Sequence, residues 1–318
     1  HQMLREGKGH AAVVYTLYGS LIGLVVILIF SFLFVLFLDD IYSYIQIGIP
    51  YLLVLISFYL IFREDDWINA GVVFAMAGFL GLFAFNLPVK EPLLPLLSGL
   101  FGVSALVVSL QARISIPKQD VEKLREIKIS FKEMLKGGFV SALCAPLCSF
   151  LPGIGSGHAA VIGSEISGDS GKDKRNFLFL VGAINTIVMA LSFVTIYVIG
   201  KGRSGAAVAV GEILGVISLE NLSFIIVAVL ISGIIAFFLG IFLSGLFARG
   251  VGKVSYGKIS IGIIVLLFVV NLVLSNWLGL IVLIISSALG VFCITSGVRR
   301  IQLMGVLLVP TIVFYLSL

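Results

Sequence analysis

The sequence predicts an all-α, polytopic membrane protein with about nine membrane-spanning helices and additional broken or re-entrant helical segments. Of its 318 residues, 60% are hydrophobic and only 12% are charged, and the mean hydropathy is +1.20, whereas soluble domains carry about 25% charged residues. Several uncharged runs reach the length of roughly 20 residues that a helix needs to cross the hydrocarbon. The runs do not alternate polar and apolar residues as barrel strands do, so the spanning segments are predicted to be helices.

Nine apolar runs predict the spans. The polar stretch "DDIYSY" at 39–44 predicts a loop between the first two spans, and "SNW" at 275–277 predicts a turn between two late ones. In chain order, the predicted spans are 11–38, 47–62, 67–87, 92–110, 177–199, 221–248, 259–275, 277–298 and 301–317.

Charge divides the chain into three predicted parts: an N-terminal transmembrane portion at 1–110, a linker at 111–136 and a second transmembrane portion at 137–318. The linker has seven Lys and Arg against four acids. Its stretch "DVEKLREIKISFKEML" has apolar residues at helical spacing, which predicts an amphipathic helix on the cytoplasmic face of the membrane. A solvated linker helix is the alternative interpretation.

The positions of the basic residues favour a hairpin over a single crossing at 137–165. With a hairpin that enters and returns on the cytoplasmic side, 18 of the 21 Lys and Arg fall in cytoplasmic segments, as the positive-inside rule requires. A single crossing would turn "SGDSGKDKR", "RGVGKVSYGK" and the Arg299-Arg300 pair outward.

The hairpin is interrupted by the stretch "CAPLCSFLPGIGSGHAAVIGSE" at 144–165, which carries no charge before its last residue. Non-helical backbone at membrane depth is tolerated where it is buried in protein or lines a watery cavity, and a helix that starts there offers free N–H groups to an anion. Close helix packing through small residues and a simple kink are the alternatives. The candidate substrate-binding residues are Pro152, Gly153, Gly155, Ser156, Gly157 and His158.

A second break, in "IGKGRSGAAVAVGEIL" at 199–214, adds the candidates Gly202, Arg203, Ser204 and Gly205. We expect the two breaks to approach each other, as the paired discontinuous helices of inverted-repeat transporters do. Asn185, in the middle of a span, is a candidate ligand for a substrate or a cation, and a helix–helix hydrogen bond is its alternative role. Glu212 is interpreted either as a buried functional acid or as an interfacial residue.

No catalytic constellation is visible in the sequence. Cys144, Cys148 and Cys293 lie within apolar runs and are predicted to pack there. The chain has only three His, and its "DD" and "EDD" acids fall on loops assigned to opposite sides, so a membrane enzyme acting on lipid phosphates is the weaker alternative. The sequence predicts a non-enzymatic transporter with no catalytic residue, metal site or nucleic-acid partner.

Four stretches resemble the TctA-like large membrane subunit of the tripartite tricarboxylate transporters. They are "HQMLREGKGHAAVVYTLYGSLIGL", "EPLLPLLSGLFGVSALV", "MLKGGFVSALCAPLCSFLPGIGSGHAA" and the pair "GAINTIV" and "GKGRSGAAVAVGEILG". The chain departs from the family pattern in the last pair: only Asn185 remains of an Asn-rich helix, and the second element lacks its proline.

The resemblance implies a secondary active permease of the cell membrane. It would import carboxylate-type organic anions such as tricarboxylates on an ion gradient (Na⁺ or H⁺), together with a small membrane subunit and an extracytoplasmic solute-binding protein. A permease for another small solute that works without a binding protein is the alternative. Because the family has two related halves, each with a Pro-Gly motif, the resemblance also predicts upstream residues that carry the first motif.

Overall fold

A computed structural model gives the structure of the chain. It describes residues 2–112, 117–121, 127, 129–150, 155–168, 173–200, 202, 204–251 and 255–317. Within those ranges every regular element is helical and no strand occurs, which confirms the predicted all-α class.

Twelve α-helices, a π-helical turn and a 3₁₀ turn make up the described part of the chain. The α-helices are α1 (Gln2–Arg5), α2 (Gly9–Phe62), α3 (Trp67–Asn86), α4 (Leu93–Leu97), α5 (Ser104–Gln111), α6 (Phe131–Phe150), α7 (Ser156–Ile166), α8 (Lys174–Ile199), α9 (Gly205–Leu214), α10 (Leu219–Val251), α11 (Tyr256–Thr295) and α12 (Gly305–Leu316); the π-helix covers Ser98–Val103 and the 3₁₀ turn Arg300–Met304.

The membrane-spanning capacity of these helices agrees with a multi-pass membrane protein. Six described segments are long and apolar enough to cross a bilayer, and three shorter apolar helices accompany them: Gly48–Phe62, Gly205–Leu214 and Arg300–Leu316. The loop predicted at 39–44 is wrong, because the backbone there is helical within α2. Residues 39–47 contain neither Gly nor Pro, the residues that most readily end a helix.

The chain forms two compact units, and each unit is built from two separate segments of the sequence. Unit 1 comprises 1–47 and 116–252, and unit 2 comprises 48–115 and 253–318. The sequence-based division into 1–110, 111–136 and 137–318 stays a prediction about organisation along the chain.

Small residues hold α2 against α8 in unit 1. A Cβ on Gly19 would overlap the carbonyl oxygen of Phe179, and a Cβ on Gly182 would overlap that of Thr16. One helical turn further along α2, a Cβ on Gly23 would lie 2.8 Å from the Ala183 oxygen. The two backbones therefore touch along a seam that excludes any larger side chain.

Helices α6 and α7 form an antiparallel hairpin. Lys136, in the first turns of α6, donates from Nζ to the carbonyl oxygen of Ser167 just after α7, at 2.8 Å. Further along, a Cβ on Gly163 would lie 3.1 Å from Cγ1 of Val140. The start of α6 therefore lies beside the end of α7, as the sequence predicted for 137–165. Which side of a membrane this hairpin faces stays a prediction.

The basic segments of unit 1 gather at the base of the hairpin. Gly9 donates its amide to Oε1 of Gln119 at 2.8 Å, and Lys174 forms an ion pair with Glu6 at 2.6 Å. The stretches that precede α2, α6 and α8 therefore share one end of the unit, as the positive-inside assignment requires.

The amphipathic helix predicted over 120–135 is described only in part. Residues 122–126 and 128 lie outside the described residues, Asp120 donates its amide to the Gly7 carbonyl, and 131–135 are helical as the start of α6. Ile127 is buried with Met3, Ala11 and Val14. This part of the linker packs on protein.

In unit 2, α11 folds back on itself at Asn276, whose φ of 62° and ψ of −174° are not helical. Before this residue, Asn271 donates to Oγ of Ser98; after it, a Cβ on Gly290 would lie 2.5 Å from the carbonyl oxygen of Leu100. The two halves therefore run in opposite directions along α4, the π-helix and α5. The turn predicted at 275–277 is confirmed.

Candidate functional site

The first candidate residues lie where α7 begins. Gly155 is the N-cap with extended backbone (φ −93°, ψ 168°), and Ser156 is the first helical residue. Pro152 and Gly153 lie outside the described residues. The first N–H groups of a helix have no intrahelical partner, and the helix dipole adds about half a positive charge at this end.

His158 forms two hydrogen bonds with Gly155 at this turn. Its Nδ1 accepts the amide hydrogen of Gly155 at 3.3 Å, and its own amide donates to the Gly155 carbonyl at 3.0 Å. The Gly155 amide is therefore used within the protein. The remaining donors at the tip belong to Ser156, Gly157 and the far side of the imidazole.

The imidazole of His158 presents a buried donor with no partner in the described residues. The side chain is 2% exposed, and its Nε2 makes no hydrogen bond. Because Nδ1 accepts a hydrogen bond, the proton of the neutral ring is assigned to Nε2. A buried donor without an acceptor costs about 1–3 kcal/mol, so an anionic ligand at the tip would relieve this cost.

Gly157 leaves open space at the tip. It is exposed, and a Cβ built on it would meet no atom of the described residues within 4 Å. By contrast, Gly163 two turns later in α7 packs against Val140 and Cys144. Close packing therefore explains the glycine inside the hairpin and does not explain the glycine at its tip.

The second break satisfies most of its own polar groups. Gly200 ends α8 in the left-handed conformation (φ 67°), and Ser204 caps α9 by accepting from the Ala207 amide at 3.2 Å. The amide of Ser204 donates to Oγ of Ser192 at 2.7 Å. Gly202 is packed, with a Cβ position 3.0 Å from Val208.

Two further candidates of this break differ in what the structure describes. Gly205 is exposed, with no atom of the described residues within 4 Å of its Cβ position, so it resembles Gly157 at its helix start. Arg203 lies outside the described residues.

Asn185 lies level with the tip but on another face of α8. Leu180 contacts Gly163, and Asn176 donates to Ser167; continuing this antiparallel register places Asn185 opposite His158. At 100° per residue, however, Asn185 faces about 140° away from Leu180. The structure leaves it exposed.

The face of Asn185 is the one that α9 uses. Ser192 and Ile196 follow it by seven and eleven residues, close to whole turns of a helix. Ser192 binds the Ser204 amide, and Ile196 contacts the Cβ position of Gly211. The sequence analysis missed Ser192; its signal was a hydroxyl two turns after Asn185 on the same face.

Helix α8 is thus the element that both breaks share, since α7 packs on one face of it and α9 on another. The grouping of the candidates into a single substrate site, and the approach of the two breaks to each other, stay predictions.

Comparisons with known proteins identify the family of the chain. The chain is 28% identical over 250 residues to the uncharacterized protein MJ1079 of Methanocaldococcus jannaschii, an alignment that covers 74% of this chain and 58% of that protein. The chain therefore spans little more than half the length of this relative. No solved structure matches it. The family described as the Tripartite tricarboxylate transporter TctA family, a transporter family and not an enzyme family, matches residues 1–305, and the chain belongs to it.

Proposed function

We propose that the chain belongs to a secondary active permease that moves carboxylate-type organic anions across the cell membrane. The observation that carries the proposal is the tip of the α6/α7 hairpin. There, the start of α7 and His158 Nε2, which has no partner among the described residues, provide hydrogen-bond donors, and the same residues leave room for a ligand at Gly157. Family membership supports the same reaction class.

In this proposal, the ligand carboxylate accepts hydrogen bonds from the first amides of α7. The amides and the dipole of α7 favour negative charge without a full cation at membrane depth. His158 donates from Nε2 while Gly155 fixes its ring through Nδ1. The neutral imidazole would recognise an acceptor without adding a charge that the bilayer disfavours.

The partners and the energy source are part of the proposal. A small membrane subunit and an extracytoplasmic binding protein would deliver the anion, and a Na⁺ or H⁺ gradient would drive import. Tricarboxylates such as citrate are the first substrates to test. A permease that works without a binding protein is separated from this one by omitting the binding protein from the assay.

The test is uptake of radiolabelled citrate into proteoliposomes that contain the full chain and the small subunit. Sodium and proton gradients are applied separately, with and without the binding protein. We expect uptake with one gradient and none without a gradient. Absence of uptake for citrate and for other di- and tricarboxylates under all these conditions would contradict the proposal.

Orientation is tested separately by labelling a cysteine at Asp173, the exposed N-cap of α8. All three native cysteines are buried, so they form a low background. We expect an impermeant maleimide to label Asp173→Cys only in inside-out vesicles. Labelling in right-side-out vesicles would reverse the proposed topology.

A further inference from the structure

A cavity of about 350 Å³ opens at the base of the α6/α7 hairpin, at the opposite end from the candidate substrate site. Its floor includes the apolar Phe179, which fills the space beside Gly137 so closely that a Cβ there would lie 2.5 Å from the ring. Two fixed charges of each sign line its walls. They are Glu133, Lys136, Asp173 and Arg175.

The two acids of this base cavity each have one carboxylate oxygen engaged by backbone. Glu133 Oε2 accepts from the Ser130 amide at 2.9 Å, and Asp173 Oδ1 accepts from the Arg175 amide at 2.9 Å. A carboxylate has two oxygens and about four acceptor positions. Each acid therefore keeps an oxygen for a cationic group.

The two cations keep donors in the same way. Lys136 uses one of its three N–H donors on the Ser167 carbonyl. Arg175 lies with Cζ 5.9 Å from the centre of the Tyr15 ring, and a contact with a ring face consumes none of the five guanidinium N–H donors. The planar fork of Arg175 suits a carboxylate or a phosphate.

Opposite charges in the cavity are held apart. Within the described residues, no ion pair joins any two of the four side chains. The positions are fixed by the caps, by the Lys136–Ser167 bond and by Asn176, which donates to Oγ of Ser167 at 3.1 Å. A ligand of one sign would meet repulsion from half of the lining, whereas a ligand with both signs would pair with all of it.

We propose that this base cavity binds a small zwitterion, with its phosphate or carboxylate on Arg175 and Lys136 and its ammonium group on Glu133 and Asp173. The same chemistry occurs in a free amino-acid-like solute and in the headgroup of a zwitterionic phospholipid. The site is separate from the hairpin tip and does not depend on the proposed transport function.

The test uses a reporter inside the cavity. Ile129 lines it and is half-buried, so Ile129→Cys reports occupancy through its rate of reaction with N-ethylmaleimide. The probes are O-phosphoethanolamine, inorganic phosphate and ethanolamine, so that the zwitterion is compared with its two charged fragments. We expect phosphoethanolamine to slow labelling at concentrations where neither fragment does. Equal protection by phosphate alone, or no protection by any probe, would overturn the proposal.

Variants assign the charges. Arg175→Ala and Glu133→Gln are each expected to weaken protection about tenfold, the effect of one charge-assisted hydrogen bond; in Glu133→Gln, the side-chain amide oxygen still accepts from the Ser130 amide. Arg175→Lys keeps the charge without the planar fork, so its protection should lie between that of the unmutated protein and that of Arg175→Ala. Lys132→Ala, a lysine of α6 that does not line the cavity, is the matched control. Unchanged protection in monodisperse Arg175→Ala or Glu133→Gln protein contradicts the assignment.

The lipid composition of the sample distinguishes a phospholipid headgroup from a free solute as the source of the zwitterion. Nanodiscs of phosphatidylethanolamine and of phosphatidylglycerol are compared without added probe. Slow labelling only in phosphatidylethanolamine identifies the headgroup as the ligand. Fast labelling in both, with protection by soluble phosphoethanolamine, identifies a free solute. Because no arm measures transport, and Gly157→Leu should leave the protection unchanged, this test and the uptake assay can fail independently.

Discussion

The turn of the α6/α7 hairpin and the turn within α11 differ in how their polar groups and glycines are surrounded. In the first, α6 ends at Phe150 and α7 begins after its N-cap Gly155, with open amides and space around Gly157. Within α11, a single residue, Asn276, reverses the chain. Its side chain donates to the Pro88 carbonyl, and the preceding Ser275 donates to that of Glu91.

The difference separates a turn that serves packing from one that we propose as a binding surface. At the α11 turn, Asn276 Nδ2 and the Ser275 hydroxyl donate to neighbouring carbonyls, while Asn276 Oδ1 has no partner among the described residues. A Cβ on the nearby Gly279 would overlap Ser275. At the α7 tip, the Gly155 amide donates to His158 Nδ1, Nε2 has no partner among the described residues, and the Cβ position of Gly157 is open to them. A glycine near a turn is therefore informative only together with what surrounds it.

The largest expected effect is that of Gly157→Leu. A leucine fits sterically, because nothing lies near the Cβ position, but it would cover the first amides of α7. Loss of two hydrogen bonds to a charged ligand reduces uptake by about 100-fold or more. The measurement is citrate uptake per monodisperse protein molecule; normal uptake would remove the tip from the substrate pathway.

Gly279→Leu is the matched change at the other hairpin. Here the added side chain collides with Ser275, so the variant should be destabilised by about 1–3 kcal/mol through overpacking. The measurement is the melting temperature in detergent, and the remaining folded protein should transport normally. A stable Gly279→Leu protein would show that the two turns do not differ as described.

His158→Phe sharpens the role of the unmatched donor. The ring volume is kept, while both nitrogens are lost, so citrate affinity should fall about tenfold. Binding of radiolabelled citrate to purified protein measures this. Ser149→Ala serves as the control, since this buried hydroxyl donates to the Ala145 carbonyl within α6 and should leave affinity unchanged.

Ser204→Ala tests whether the α9 break resembles the packing turn. Loss of the N-cap should destabilise α9 by about 1 kcal/mol and speed hydrogen exchange at Ala207. Citrate uptake should change by less than it does in His158→Phe. A complete loss of uptake in folded protein would instead assign Ser204 to substrate contact.

The smallest effect concerns Glu6, which lies outside the spans, and its partner Lys174, the first residue of α8. The hydrogen bond and the charge of Lys174 lower the pKa of Glu6 from its ordinary value of 4.5. A lowered folded-state pKa contributes stability that is present above the ordinary value and is lost as pH falls through the folded value. Lys174→Ala should therefore lower the melting temperature slightly at pH 7 and not at pH 3. An equal decrease at both pH values would exclude this cause.

Composition and charge were sufficient to predict the helical class, most spans and both interruptions. The turn at Asn276 was predicted because the polar "SNW" interrupts an apolar run. The helical backbone at 39–44 was not predicted, because the polar residues suggested the end of a helix, although no Gly or Pro stands at 39–47. In the linker, Ile127 packs with Met3 and Val14, a contact that apolar spacing along the sequence does not reveal.

At the candidate site, the sequence identified candidate residues but not the helix face on which each one lies. Gly155, Ser156, Gly157 and His158 were grouped by adjacency alone, which suffices at a helix start. Asn185 was assigned to the same group, although its face belongs with Ser192 and α9. The zwitterion cavity was missed because Glu133 and Lys136 meet Asp173 and Arg175 only through the hairpin fold.

The seam between α2 and α8 has a consequence for how variants of this protein should be selected. Gly19, Gly23 and Gly182 touch backbone directly, so nearly every substitution there removes the protein from the membrane. A library scored only by growth on a transported acid would rank these positions with Gly157. It would not distinguish residues needed for helix packing from residues on the substrate pathway. Scoring each variant for surface abundance as well as for growth separates the two, because only the pathway glycine would yield abundant, inactive protein.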